Sequence, residues 1–450
     1  MRWAMKRDRF TSHSMVTCWR IECIKAPPHD VIIASLCAKQ QLSWKKHPMC
    51  SIIFLVMRMH ELLEQGKSIL HRLQAAGHEA FFVGGAVRDH LLGRPIVDVD
   101  ITTSATVDTV AELFEKTILT GARYGTVTVL LEGTAFEVTT YRADGDYTDH
   151  RRPDTVHFTR RLEEDLKRRD FTINQLVMDS ENRVADHHNG LEDLKNHIIR
   201  AIGVPSARFE EDALRMLRAF RFVAKLGFTI ETETLQAIER AAPSIRNIAI
   251  ERIQDELVRI FKSEHAMSAI RCMVDCGFAQ ALFDLEEGLS ALAAAQAPFD
   301  DTLAFALLYR HYANLGEIFK FSQKRLKHLA SISHLAAMTE TAQFTPLTVF
   351  NEGLKTCLKA NRLNQLLGFA DQTAHLQRLA AELPIQDARE LVFRGQDILV
   401  HCQPVRKRWV GLILNGLVEA VVTGRVPNDH EPLKAYAKRL KTNLEKSDNA

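Results

Sequence analysis

Ala80-Phe81-Phe82-Val83-Gly84-Gly85-Ala86-Val87-Arg88-Asp89, followed shortly by Ile96-Val97-Asp98-Val99-Asp100-Ile101, is the stretch on which the reading of this chain turns. A short apolar strand runs into a glycine pair and then into a helical turn that Gly93 closes. Glycines let backbone N–H groups come close to phosphate oxygens, and a helix N-terminus adds its dipole. By itself the turn is neither the dinucleotide fingerprint nor a Walker loop, and a plain strand-to-helix connection explains a Gly-Gly as well. The second piece alternates apolar and acidic residues, so on a strand, where side chains have a period of two, Asp98 and Asp100 share a face. Two carboxylates several ångströms apart repel unless a cation lies between them, which suits divalent metal ions that carry a nucleotide's phosphates. Solvated aspartates on an edge strand would look the same in isolation; their place just after a Gly-Gly-x-x-Arg turn favours the metal reading.

Upstream, Leu62, Leu63, Ile69, Leu70 and Leu73 recur at helical spacing as far as Gly77, which predicts a helix from Met57 or Met59 capped by that glycine. Downstream, Gly125 to Leu131 and Ala135 to Tyr141 read as a pair of strands. Glu137 points opposite to Phe136 and Val138 and is the natural third carboxylate. It completes a metal site or accepts the proton of an attacking hydroxyl, unless it merely faces solvent on an edge strand. Next come Arg168-Arg169-Asp170-Phe171-Thr172-Ile173-Asn174 and Glu210-Glu211-Asp212-Ala213-Leu214-Arg215-Met216-Leu217-Arg218-Ala219-Phe220-Arg221. Asp212, Arg215 and Arg218 are three apart, which makes them neighbours on a helix surface, while Leu214, Leu217 and Phe220 form an apolar row at the same step. An exposed, salt-bridged helix face would carry the same pattern.

Together the Gly84-to-Asp89 turn, Asp98-Val99-Asp100, Arg168 to Asn174 and Glu211-Asp212-x-x-Arg215-x-x-Arg218 resemble the class II bacterial tRNA nucleotidyltransferases (CCA-adding enzymes), of the polymerase-β-like and poly(A) polymerase superfamily. Residues 57 to about 285 match in order and spacing, and the remainder resembles the family's helical C-terminal half more loosely. The resemblance implies an α+β fold, with a small N-terminal mixed-sheet head followed by an all-helical neck, body and tail. It implies that Asp98 and Asp100 hold two Mg²⁺, and with Glu137, read from its place on the strand, they are the candidate catalytic residues. Gly84, Gly85 and Arg88 would engage the triphosphate, Arg169 would contact the nucleotide, and Asp212, Arg215, Arg218 and Arg221 would line its pocket. The implied activity is template-independent addition of C, C and A to the 3′ end of tRNA from CTP and ATP, releasing pyrophosphate. An Asp acceptor and an Arg donor can jointly satisfy the amino group and ring nitrogen of cytosine or adenine. Uracil and guanine would set a carbonyl against the Asp, and a buried unpaired polar group costs about 1–3 kcal/mol. Residues 142–154, rich in charge and turn formers, read as a mobile loop beside the site, and the resemblance makes it a lever for switching from C to A.

Other readings compete. A bacterial poly(A) polymerase would share the Gly-Gly, Asp-x-Asp and Arg-Arg-Asp-Phe-Thr elements, but the place for its Arg/Lys-rich segment reads Gly121-Ala122-Arg123-Tyr124-Gly125-Thr126-Val127. An enzyme that adds only A would keep the 142–154 loop, and a non-catalytic tRNA-binding protein would have no use for Asp98 and Asp100. A fused HD phosphohydrolase is disfavoured, since the His-Asp pair His29-Asp30 has no helical ligand set around it.

The 450-residue composition is globular: 46% hydrophobic, 25% charged, with 58 basic against 56 acidic side chains. A net charge of +2 excludes a wholesale polycation but leaves room for local basic faces. Such clusters occur at Lys320, Lys324, Arg325 and Lys327, at Arg406-Lys407-Arg408, and at Lys434, Lys438, Arg439 and Lys441, candidate phosphate contacts along a tRNA acceptor arm. Eight cysteines without C-x-x-C knuckles read as reduced thiols, and no zinc site is expected. Ser51 to Met57 is too short to span a membrane, so a cytoplasmic protein with no membrane partner is expected. Residues 1–56 hold three of the four Trp, show no sustained periodicity, and read as a translated region ahead of the true start, with a targeting or regulatory arm as the alternative. The expected division is head 57–188, neck 189–250, body 251–335 and tRNA-binding tail 336–450, with a homodimer left open.

Overall fold

The computed structural model describes residues 2–6, 20–24, 48–144, 156–403, 406 and 408–448. Helix α1 (Pro48–Ala75) leads into a seven-stranded sheet. Its strands are β1 (Ala80–Val83), β2 (Asp100–Thr103), β3 (Thr117–Ile118), β4 (Thr126–Leu131), β5 (Thr134–Thr140), β6 (Val177–Met178) and β7 (Val184–Ala185), in the spatial order β7-β6-β1-β2-β5-β4-β3. Neighbours are antiparallel except for β2 and β5, which run parallel. Alternation builds the core face: Phe82, Ile101, Val127, Val129, Phe136 and Val138 are buried and meet Ile69, Leu70 and Leu73 of α1. The helix can lie this close because a Cβ on Gly66 would stand 2.6 Å from the Phe82 ring, a separation no side chain tolerates.

Helix α2 (Gly85–Leu91) follows the glycine turn. After the sheet come α3 (Pro205–Glu211), α4 (Leu214–Leu226) and α5 (Ile250–Phe261). Met216, Leu217, Phe220 and Ala224 of α4 are buried against the helices that follow, so head, neck and body share one continuous core running from Leu63 to Leu376. A second core, from Ile385 to Ala437, is formed by α6 (Gly395–Cys402), the helix Arg408–Val422 and α7 (His430–Asp448). The mixed-sheet head followed by helices is the α+β architecture expected.

Several boundaries differ from the sequence reading. Helix α1 starts at Pro48 and crosses the 56/57 division, and an antiparallel strand pair, Arg2–Lys6 with Arg20–Ile24, stands where no strand was expected. The helix Gln323–Met338 likewise crosses the expected body–tail boundary at 335/336, because Leu329, Ile332, Leu335 and Ala336 belong to the first core. The strand carrying the acidic pair begins only at Asp100. Its partner β1 ends opposite, with Val83 paired to Asp100, because the chain leaves the sheet at Gly84. Residues 96–99 lie outside the strand, and Val97 is 85% exposed.

Candidate active site

The three expected carboxylates come together where the start of β2 meets the middle of β5. Parallel pairing puts Asp100 in register with Glu137, so both project from the same face, and Asp98 lies just ahead of the strand. Burial first, then the charges of Asp98 and Glu137, push the Asp100 carboxyl up to about 6, against partial opposition from Arg169. Three mutually repelling carboxylates at a partly buried spot form a donor set that a divalent cation would relax, and all-oxygen ligands suit a hard ion. Asp98, Asp100 and Glu137 thus fit the group that the sequence implied.

Gly84 closes the other side. Its backbone, at φ +74° and ψ −134°, is a conformation that favours glycine, and a Cβ there would lie 3.5 Å from Asp100 Oδ2 and 3.7 Å from an Arg169 Nη1. Gly84, Asp100 and Arg169 therefore line one small space. Arg169 is held from behind by Asp165, whose carboxylate accepts from Arg169 Nη2 at 3.1 Å, from Arg168 Nε and Nη2 at 2.9 and 2.7 Å, and from Thr102 Oγ1 at 3.2 Å. Burial pushes Asp165 up, but Arg169 and then Arg168 outweigh it and keep the carboxyl below its ordinary value. The Arg169 Nε–H is buried and has no hydrogen-bond partner.

Arg88 sits differently from the expectation. Its side chain is turned inward, leaving the residue 2% exposed: Nε donates to Asp89 Oδ1 at 2.9 Å, Nη1 to Asn174 Oδ1 at 2.6 Å, and the guanidinium lies 5.2 Å from the Phe222 ring centre. Its Nη2 would be 3.6 Å from a Cβ on Gly85, so it underpins the glycine turn and reaches from head to neck without opening to solvent.

The neck residues form a linked set, with one break that the helical reading missed. Helix α3 ends at Glu211 and α4 begins at Leu214; Asp212 between them is extended at φ −145° and ψ 102°. Asp212 is therefore not on the same helix surface as Arg215 and Arg218. Its carboxylate takes the Leu214 N–H at 3.0 Å and the Arg252 guanidinium at 2.8 and 3.4 Å. Arg215 instead donates to the Arg208 and Arg168 carbonyls at 3.0 Å each and to Glu211 at 2.5 Å, using three of its five N–H groups. Arg218 donates through Nε and Nη2 to Asp170 Oδ2 at 2.8 and 2.5 Å, while Asp170 Oδ1 accepts from the Phe171 N–H and the Asn174 amide. Burial pushes Asp170 up, but Arg218 and then Asn174 more than offset it and hold the carboxyl well below the usual range. Arg221 lies 2.7 Å from Glu256, with its N–H off the line to the oxygen, so neither atom has an aligned hydrogen bond. Burial and the neighbouring Arg218 push Arg221 down to about 10. Phe222 carries Arg88, Arg218 and Arg221 against its ring.

Asp165, Asn174, Phe222, Arg252 and Glu256 escaped the sequence reading. Asp165 stands four residues before Arg169 at a helical step and could have been found; Arg252 lies forty residues from Asp212 and carries no local signal. The mobile loop expected at 142–154 falls largely outside the described residues, which show only its base, an antiparallel pair of Arg142–Asp144 with Val156–Phe158.

A carboxylate trio on a mixed sheet, a glycine turn beside it and a helical neck of paired Asp and Arg define a nucleotidyltransferase of the poly(A) polymerase type. The matching family models agree: "Poly A polymerase head domain" over residues 80–200, "Probable RNA and SrmB- binding site of polymerase A" over 227–290, and tRNA nucleotidyltransferase domain 2 over 305–437. Within that class the chain belongs to the CCA-adding enzyme family. It is 39% identical to the CCA-adding enzyme of Lactiplantibacillus plantarum over 391 residues, covering 84% of this chain and 96% of that one. It is also 39% identical to the Geobacillus thermodenitrificans enzyme over 398 residues, covering 85% and 98%. The crystal structure of the Bacillus stearothermophilus CCA-adding enzyme in complex with CTP superimposes with a TM-score of 0.75 at 34% identity, covering 86% of this chain and 99% of that one.

Proposed function

We propose that this chain adds C, C and A to the 3′ end of tRNA from CTP and ATP, without a nucleic-acid template, through the carboxylates of β2 and β5. The observation that carries the reading is the registered pair Asp100–Glu137 with Asp98 beside it, facing Gly84 and Arg169. Mg²⁺, when held by Asp98 and Asp100, would supply charge neutralisation at the triphosphate and lower the pKa of the attacking 3′-hydroxyl. Backbone N–H groups at Gly84 and Gly85 cradle phosphate oxygens, and Arg169, whose Nη1 lies beside Gly84, donates to the nucleotide. Glu137 either joins the metal ligands or takes the hydroxyl proton. Asp212, oriented by Arg252, accepts the amino group of cytosine or adenine, and the N–H groups that Arg215 has left over donate to the ring nitrogen. Arg218 and Arg221 shape the pocket from behind, through Asp170, Glu256 and Phe222.

The helical half would hold the tRNA acceptor arm. Lys438 and Arg439 are exposed on α7, whereas Lys434 and Lys441 already pair with Glu431 and Glu445. Among the described residues no helix is long and apolar enough to cross a membrane. A tRNA substrate favours a cytoplasmic enzyme. The deciding assay offers tRNA ending before CCA, before the final CA and before the final A, with CTP and ATP separately and together. The reading expects C, then C, then A; poly(A) tails from ATP alone would indicate a polymerase, and extension only of tRNA ending in CC would indicate an A-adding enzyme.

A further inference from the structure

We propose that Asp397, His401 and His430 form a binding site for a divalent transition metal of the zinc type, joining α6 to α7 in the second core. Asp397 and His401 are four apart on α6, the step that puts two side chains on one helical face. His430, the first residue of α7, completes the set, and one ligand atom from each residue lies within 4.8 Å of the others. Zinc bonds of about 2.0–2.2 Å in a tetrahedral arrangement require ligand atoms about 3.3–3.5 Å apart. Rotation about side-chain bonds would have to close that gap, and the His430 side chain, 46% exposed, has solvent on one side while its Nδ1 lies 3.7 Å from Glu431.

The surroundings already orient the ligands. Asp397 Oδ2 is occupied by the Arg394 N–H at 2.8 Å, which leaves Oδ1 facing His430 Nε2 at 3.9 Å. Such an outer hydrogen bond fixes the plane of a ligating carboxylate. Phe393, fully buried, backs both imidazoles, with ring centres 6.1 Å from His401 and 5.1 Å from His430, and the two imidazoles are 5.9 Å apart. Two nitrogens and one oxygen suit zinc, nickel or cobalt, whereas magnesium prefers oxygen and retains its water. Three protein ligands leave the fourth position to solvent. The site would benefit the segment that holds it: the core from Ile385 to Ala437 is small, and small cores gain most from a staple.

The test uses the full chain, stripped of metal with a chelator and kept in excess Mg²⁺ so that the head carboxylates are occupied. Zinc titrated by calorimetry should bind one equivalent with a Kd of about 10 µM or tighter, and slow hydrogen exchange in residues 395–402 and 430–437. His401→Ala, His430→Ala and Asp397→Asn should each weaken binding at least tenfold, with CTP incorporation at saturating Mg²⁺ unchanged. Should an alanine variant fold poorly, His430→Gln removes the ligand while keeping a polar side chain at this exposed position. Absence of zinc binding below about 100 µM, or equal binding by the substituted and unsubstituted chains, would overturn the proposal.

Discussion

Arg218→Ala separates a structural from a nucleotide-reading role for the neck arginines. Asp170 is 8% exposed at its side chain and accepts four hydrogen bonds, two of them from Arg218. Charge-assisted hydrogen bonds contribute about 1.5–3 kcal/mol each, which would put the loss at about 3 kcal/mol or more. Arg218 is one-third exposed at its side chain, however, so water already screens part of the interaction, and Asp170 keeps the Phe171 and Asn174 donors. About 2–3 kcal/mol is therefore expected, a fall in melting temperature of roughly 3–5 °C for a cooperative unit as large as the shared core. Arg218→Lys should recover only part of it, since an ammonium cannot reproduce the two-pronged contact. The pH dependence has a definite sign: a carboxyl held below its unfolded value contributes fully above about pH 4 and loses its contribution as pH falls below that. The melting temperatures of variant and parent should thus differ by a constant amount between pH 5 and 7 and converge in acid. Thermal melts across pH, with kcat/KM for CTP and UTP, provide the readout; an unchanged melting temperature with altered nucleotide ratios would refute the structural assignment.

Asp98→Ala or Asp100→Ala should abolish incorporation of both CTP and ATP while tRNA binding, measured by filter retention, stays within about twofold, because in the proposed mechanism the carboxylates act on phosphoryl chemistry and the helical half holds RNA. Arg252→Ala should cost about 1–3 kcal/mol of discrimination, seen as a rise in UTP relative to CTP kcat/KM, since Asp212 then keeps only the Leu214 N–H; unchanged ratios alongside a shift in Asp212→Ala would remove Arg252 from the pocket. In Gly84→Ala the methyl group has room at 3.5 Å, so the loss comes from backbone strain of about 1–3 kcal/mol and should appear as lower kcat with tRNA affinity intact.

What the sequence revealed was local. Glu137 could be set opposite Phe136 and Val138 because strand alternation acts over two residues, and the glycine turn could be read because only a few backbone angles are involved, whereas Asp98 lies ahead of the strand, where alternation does not act. What it concealed depends on distant partners. Arg88 looked like a phosphate ligand until Asn174, eighty-six residues on, drew it inward. The helical step from Asp212 to Arg218 looked continuous because propensity does not register a two-residue break whose carboxylate is held by Arg252. The Asp397–His401 step was visible in the chain, but without His430 it had no third ligand to suggest a metal.

The division into two cores also governs how the molecule can be recombined with its relatives. Grafting a foreign head at residue 188 would cut through one shared interior, leaving Phe171 without the Phe222 edge it packs on. An exchange at Pro384 instead falls between the interiors, where Leu347, Phe350 and Leu383 pack across and Gln386 donates to the Ala380 carbonyl. Chimeras joined there should fold with each half's character intact, so that substrate-handling surfaces can be traded as a cassette while the pocket that chooses the nucleotide stays with its own helices.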